Sequence, residues 1–122
     1  MVAPELKTHT PLFVTAFIKA AGHDFVNLCK AHHVDKIYLF GSSVTDQFDP
    51  QKSDIDLVVK VDIQDPSDRG EALLSLWNKL EIFFKRKVDL LTDDSIRNPY
   101  LKSNIDRTKK LIYDGAREEV LA

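Results

Sequence analysis

The stretch that most restricts how this chain can fold is Asp54 to Val61, Asp-Ile-Asp-Leu-Val-Val-Lys-Val. Its opening alternates carboxylates with branched aliphatic residues, the period-two pattern of a strand with one wet face and one buried face. Asp65-Pro66 breaks the strand. Beyond it the period changes: Leu73, Trp77, Leu80 and Phe84, supported by Leu76 and Phe83, recur at helical spacing. Asp68 followed by Glu71 has the form of a capping box with Asp in place of Ser or Thr. Lys87-Val88-Asp89-Leu90-Leu91 then makes another short strand. Two strands separated by one long helix are expected to lie parallel, because the helix must carry the chain back over the sheet by a right-handed crossover.

Around this unit the remaining elements are shorter. Ile37-Tyr38-Leu39-Phe40 is an apolar run rich in β-branched and aromatic residues, ended by Gly41, and reads as a buried strand. Upstream, Thr10-Pro11 has the form of a helix start, and Phe13, Phe17, Ala20, Ala21, Phe25, Leu28 and Cys29 follow at helical spacing. Gly22 interrupts them, which allows one kinked helix or two short ones. Asn98-Pro99 starts a last helix that is expected to bury Leu101, Ile105, Thr108 and Ile112, with Gly115 as its stop. The order is helix, strand, strand, helix, strand, helix. This is an α+β fold, a small mixed sheet of about three strands flanked by helices. Spacing alone leaves the relative direction of the first two strands open.

At 122 residues there is room for one domain, 1–122, with a motif core over about 28–115 and an N-terminal helical extension over 10–33. Lys plus Arg is 17 and Asp plus Glu is 19, so the formal charge of -2 lacks the basic field that grips duplex DNA. The single cysteine, Cys29, has no internal disulfide partner and no zinc-type pairing. It falls on an apolar face and reads as core, as does Trp77. No run approaches the length of a membrane span and no leader pattern opens the chain, so a cytoplasmic protein is expected. His32 and His33 would point about 100 degrees apart on a helix, which suits capping of the helix dipole better than shared metal ligation. Lys85-Arg86-Lys87 reads as a solvated helix end, and Arg107, Lys109 and Lys110 as a charged helix face.

The chemistry concentrates elsewhere. Asp54 and Asp56 are two residues apart on a strand, which puts both carboxylates on one face, roughly 7 Å apart. If the Asp89 strand is the parallel neighbour, its carboxylate can join them. Three carboxylates converging on a sheet surface repel one another, and Mg²⁺ is the ordinary answer, since it takes oxygen ligands and often binds one or two carboxylates plus substrate phosphates. Gly41-Ser42 ends the first strand. Gly41 has no Cβ, so a ligand can approach its backbone. Ser42 offers a hydroxyl and an amide, and a helical turn over 43–47 would aim further amides at a phosphate.

Phe40-Gly41-Ser42, then eleven residues, then Ser53-Asp54-Ile55-Asp56-Leu57-Val58-Val59 resembles the nucleotidyltransferase signature of the DNA polymerase beta superfamily. The short chain is similar to its minimal nucleotidyltransferase branch. Lys87-Val88-Asp89-Leu90-Leu91 resembles that branch's third acidic strand, and Asn98-Pro99-Tyr100-Leu101 with Arg107-Thr108-Lys109 resembles its last helix. The resemblance implies ATP as nucleotide donor and two Mg²⁺ ions held by Asp54 and Asp56. Asp89 would bind the catalytic metal or take the acceptor's proton, and Gly41 and Ser42 would hold the β and γ phosphates. Many members carry Gly-Ser-x-Ala-Arg-Gly where this chain has Gly41-Ser42-Ser43-Val44-Thr45-Asp46. The basic side chain is missing at position 45, so either another cation compensates or nucleotide affinity falls.

The expected function is Mg²⁺-dependent transfer of a nucleoside monophosphate, AMP from ATP, to an acceptor. The nucleotide core uses most of the chain and leaves no obvious acceptor domain. The resemblance therefore implies an acceptor on a partner protein, a small helical toxin of the HEPN type that the transfer neutralises. Two other readings stay open. One is a catalytically weak module that blocks its partner sterically; the other is a small-molecule, antibiotic-type nucleotidyltransferase acting as a homo-oligomer.

Overall fold

The computed structural model describes residues 12–41, 49 and 53–120. The Thr10-Pro11 helix start, Ser42 and the turn over 43–47 lie outside the described residues. In chain order the elements are α1 (Leu12–Ala20), α2 (Gly22–Ala31), β1 (Val34–Leu39), β2 (Ile55–Val61), α3 (Pro66–Phe84), β3 (Val88–Thr92), a 3-10 turn (Asp93–Ser95), α4 (Pro99–Thr108), β4 (Lys110–Asp114) and β5 (Glu119–Val120). They form a mixed five-stranded sheet in the order β3-β2-β1-β4-β5.

The β2–α3–β3 unit is as the sequence implies: β3 runs parallel to β2. The open question about the first two strands resolves as antiparallel. Gly22 does separate two helices, α1 and α2. The sheet has two strands more than the three expected. Residues 110–114, Lys-Leu-Ile-Tyr-Asp, are not the end of the last helix but a strand paired antiparallel with β1. Lys109 turns extended at the helix terminus, and the β-branched and aromatic pair Ile112-Tyr113 finds more apolar surface in the sheet than a helix would offer it. Ile112 is therefore buried as expected but from a strand. Of the other residues assigned to that helix core, only Ile105 is buried, while Leu101 and Thr108 are exposed.

One sheet face carries the main core. Ile37, Leu39, Ile55, Leu57, Val59, Val88, Ile112 and Tyr113 meet Val14 and Ile18 of α1, Phe25 and Cys29 of α2, and Leu76, Leu80 and Phe84 of α3. Each fully buried aliphatic side chain contributes about 1.5–3 kcal/mol of transfer free energy. Phe17, Phe25, Phe83 and Phe84 pack as tilted and edge-on rings 5.0–6.2 Å apart, the favoured aromatic geometry. The opposite face has a smaller cluster of Phe40, Val58 and Ile105, against Tyr38, Leu91 and Ile96. This second cluster seats α4 on that face.

Helix boundaries follow local chemistry. α3 begins three residues before the expected capping box. Asp65 is its N-cap, accepting from the Asp68 amide at 3.0 Å, and Pro66 fills the first turn, where a missing N–H costs nothing. Asn98 caps α4 in the same way, accepting from the Tyr100 and Leu101 amides. His32 closes α2. Its Nδ1 lies 2.8 Å from the Leu28 carbonyl, which can only accept, so Nδ1 carries the proton and Nε2 faces the Ser75 hydroxyl at 2.9 Å. Trp77 departs from the expected core position. It is 43% exposed, and its indole N–H donates to the Val88 carbonyl on the outer edge of β3 at 2.8 Å.

Candidate functional site

β2 and β3 pair in parallel register with Asp56 directly opposite Asp89. Residues in register on neighbouring strands point to the same face, so both carboxylates stand on the face away from the main core, on backbones about 4.8 Å apart along the hydrogen-bonding direction. Ile55, Leu57 and Val88 point the other way and are buried. That alternation fixes the acids outward: a one-residue slip would drive carboxylates into the phenylalanine-rich core. Asp56 is half-buried, and Asp89 and Asp54 are exposed. Asp54 stands immediately before β2, two residues ahead of Asp56.

β1 delivers its end to the same place. The Phe40 amide donates to the Asp56 carbonyl at 3.0 Å, and the next residue, Gly41, has φ +62. A Cβ built on Gly41 would lie 2.6 Å from Asp56 Oδ2 and 3.3 Å from its Cγ. Glycine is needed twice over, for its backbone conformation and for room. The space that Gly41 leaves holds the Asp56 carboxylate, so the glycine sets where that acid sits.

The start of β2 is tied down on several sides. The Asp49 amide donates to Ser53 Oγ at 2.9 Å and the Ser53 amide donates to the Asp49 carbonyl at 2.8 Å. The Ile55 amide donates to the Lys87 carbonyl at 3.1 Å, and Arg86 Nη1 donates to the Ser53 carbonyl at 2.7 Å. Arg86 is half-buried, whereas Lys85 and Lys87 on either side are exposed. Reading Lys85-Arg86-Lys87 as a solvated helix end is thus right for the lysines and wrong for the arginine. Nothing in the spacing of three consecutive cations says which one a tight turn will direct inward.

The donors at this end of the sheet are carboxylate oxygens, a set that suits a hard divalent cation rather than a thiophilic one. Among the described residues, no group of three His, Cys, Asp or Glu side chains is gathered closely enough to hold a metal ion. The register therefore brings Asp56 and Asp89 together as a pair, with Asp54 beside them at the strand entry. A pair leaves most positions of an octahedral ion to water and phosphate oxygens, which is how Mg²⁺ usually binds. His32 and His33 lie at the other end of β1 from Gly41 and take no part. No helix among the described residues is long and apolar enough to cross a membrane.

Comparison with known proteins bears on this arrangement. Residues 24–118 match the family model described as polymerase beta, nucleotidyltransferase. Two proteins of Methanocaldococcus jannaschii, MJ1379 and MJ0126, carry the provisional name protein adenylyltransferase. The first is 39% identical over 82 residues, covering 67% of this chain and 78% of the relative. The second is 36% identical over 86 residues, covering 70% and 82%. Among solved structures, chains from two mutant forms of the toxin–antitoxin complex MntA–HpeT superpose with a TM-score of 0.50 each. One has 25% identity over 80% of this chain and 75% of that one. The other has 22% identity over 79% and 81%, a likeness of fold. The α+β fold of this chain is thus a nucleotidyltransferase fold, and the chain belongs to the polymerase beta nucleotidyltransferase family.

Proposed function

We propose that this protein transfers AMP from ATP, with Mg²⁺, to a hydroxyl on a small helical partner protein, and that the transfer neutralises the partner as an antitoxin neutralises its toxin. The observation that carries the reading is the register that sets Asp56 against Asp89, with the Asp56 carboxylate held over Gly41. The adenylyl group and the protein acceptor are supported by the names of the two archaeal relatives. The partner is supported by the toxin–antitoxin complex that supplies the structural neighbour at 25% identity, and a HEPN-type toxin is the kind of partner the sequence resemblance implies. The reading takes the chain as one domain acting in the cytoplasm.

The Asp56–Asp89 pair, joined by Asp54 from the strand entry, would hold the Mg²⁺, which when bound would lower the acceptor's pKa and spread charge off the leaving group. The rest falls to the chain. Gly41 and Ser42 hold the β and γ phosphates, and the Asp56–Asp89 pair faces the α-phosphate. The acceptor oxygen forms its bond to the α-phosphorus in line as the bond to the bridging oxygen breaks. Pyrophosphate leaves, and the acceptor's proton passes to a carboxylate or to solvent.

A second reading is favoured by one observation, Thr45 where many members place a basic residue, followed by the negative Asp46. In it, the chain blocks its partner by contact alone. Incubation with labelled ATP, Mg²⁺ and a candidate small helical partner, sought among the products of neighbouring genes, separates the two. Label transfer lost in Asp54→Asn/Asp56→Asn supports the transferase. Inhibition that survives the double substitution, with no label moved by either form, supports the binder.

A further inference from the structure

The geometry points to Arg86 as a positioning residue that holds the Asp54 peptide in place, so that Asp54 is presented beside the Asp56–Asp89 pair. The inference rests on reading the Asp56–Asp89 pair as the cation site, with Asp54 as a neighbouring oxygen ligand supplied from the strand entry.

Asp54 precedes the regular part of β2, and its side chain is exposed. An exposed residue at a strand entry ordinarily frays. Here the peptide groups on both sides of it are held by two consecutive residues of the α3–β3 turn. Arg86 Nη1 donates to the Ser53 carbonyl at 2.7 Å, and the Ile55 amide donates to the Lys87 carbonyl at 3.1 Å. The bracket depends on how α3 ends. Lys85 adopts the left-handed conformation, φ 57 and ψ 39, and the Arg86 amide folds back on the Glu81 carbonyl at 3.3 Å. This six-to-one closure turns the chain sharply enough to aim the Arg86 side chain at β2.

The chemistry of the donor matters. A charged donor binds a carbonyl more tightly than a neutral one, and a planar guanidinium holds its direction where a lysine ammonium on a flexible stem does not. The Ser53 amide and hydroxyl are already engaged by Asp49, so the carbonyl is the group of Ser53 left to face the turn. Arg86 therefore ties together Ser53 with its partner Asp49, the strand that carries Asp54 and Asp56, and the turn that leads to Asp89. In metal sites, groups that orient the ligands from behind typically change affinity about 10- to 100-fold when removed.

The test uses the full chain, wild type against Arg86→Ala and Arg86→Lys, each alone and combined with Asp54→Asn. Amide hydrogen exchange is measured without metal or nucleotide, and Mn²⁺ affinity by electron paramagnetic resonance of the free ion. Arg86→Ala should speed exchange of the Ile55 amide roughly tenfold or more, the loss expected for one charge-assisted hydrogen bond, and leave Val59 unchanged. Mn²⁺ affinity should fall about 10- to 100-fold, with no further fall when Asp54 is already Asn. Arg86→Lys should lie between, and carries the same test if the alanine variant does not fold. Equal acceleration at Ile55 and Val59, or a Mn²⁺ loss that is the same with and without Asp54, overturns the proposal. A wild type that binds no Mn²⁺ overturns the cation reading, and with it the purpose assigned to Arg86. The exchange measurement involves neither metal nor transfer, so the two failures are distinguishable.

Discussion

Replacing Gly41 with Ala tests the link between the turn and the carboxylate most directly. Two costs arise. A left-handed conformation at φ +62 costs a residue with a Cβ about 1–2 kcal/mol. The new Cβ would also lie 2.6 Å from Asp56 Oδ2, so that oxygen must retreat by about 0.8 Å to reach ordinary contact at 3.4 Å. The obstructing atom is the end of a side chain, which can yield by turning off its rotamer for about 0.5–1.5 kcal/mol. A total of about 2 kcal/mol is survivable for a domain of ordinary stability and should lower Tm by roughly 6–12 °C. The larger consequence falls on the site, because the displaced group is one of the two paired carboxylates. Calorimetric melting should report a folded protein with a modest loss, while titration with Mn²⁺ and a non-hydrolysable ATP analogue should show affinity reduced by about tenfold or more. Gly70→Ala is the control. It lies within α3 with nothing within 4 Å of a built Cβ, and should stabilise by about 0.4–1 kcal/mol. Unchanged ligand affinity in Gly41→Ala, or equal damage from Gly70→Ala, would refute the reasoning.

Three further outcomes follow from packing and burial. Burial pushes the Cys29 thiol from 9.0 up to about 12. Between those values the unfolded chain gives up a proton that the folded chain keeps. Stability from this group is thus complete below about pH 9 and drains above it, by about 1.4 kcal/mol per pH unit. Urea midpoints at pH 8 and pH 10 should differ less in Cys29→Ala than in wild type, with a remainder from Tyr113, which burial pushes in the same direction. Gly115→Ala would put a Cβ 2.5 Å from the Val34 carbonyl and 2.9 Å from that of Asp35, and backbone cannot step aside as Asp56 can. It should cost roughly 1–3 kcal/mol in urea denaturation. Trp77→Phe removes the donor to the Val88 carbonyl while keeping an aromatic ring, and should cost about 1 kcal/mol in the same assay.

The parts of the fold that could be read from residues alone are those with a strong local period. Asp54 to Val61, the helix through Leu73, Leu76, Leu80 and Phe84, and the Asp89 strand were legible because each alternates or recurs against a fixed core face. The C-terminal part was not. Leu101, Ile105, Thr108 and Ile112 keep a helical spacing across a real boundary, and only the availability of β1's free edge turns residues 110–114 into a strand. Trp77 matched a stripe that is buried at Leu76 and Leu80 but reaches the rim at its own position.

The same division runs through the site. Which residues carry the charge, and that a glycine must end the first strand, is written in residue type and spacing, since these are local demands of period and backbone conformation. That Asp56 faces Asp89 across a parallel pair, that its carboxylate occupies the space Gly41 leaves, and that Arg86 rather than its lysine neighbours turns inward depend on contacts between segments 15 to 33 residues apart. Such contacts are selected by the packing of the whole sheet against its helices, which no local pattern encodes.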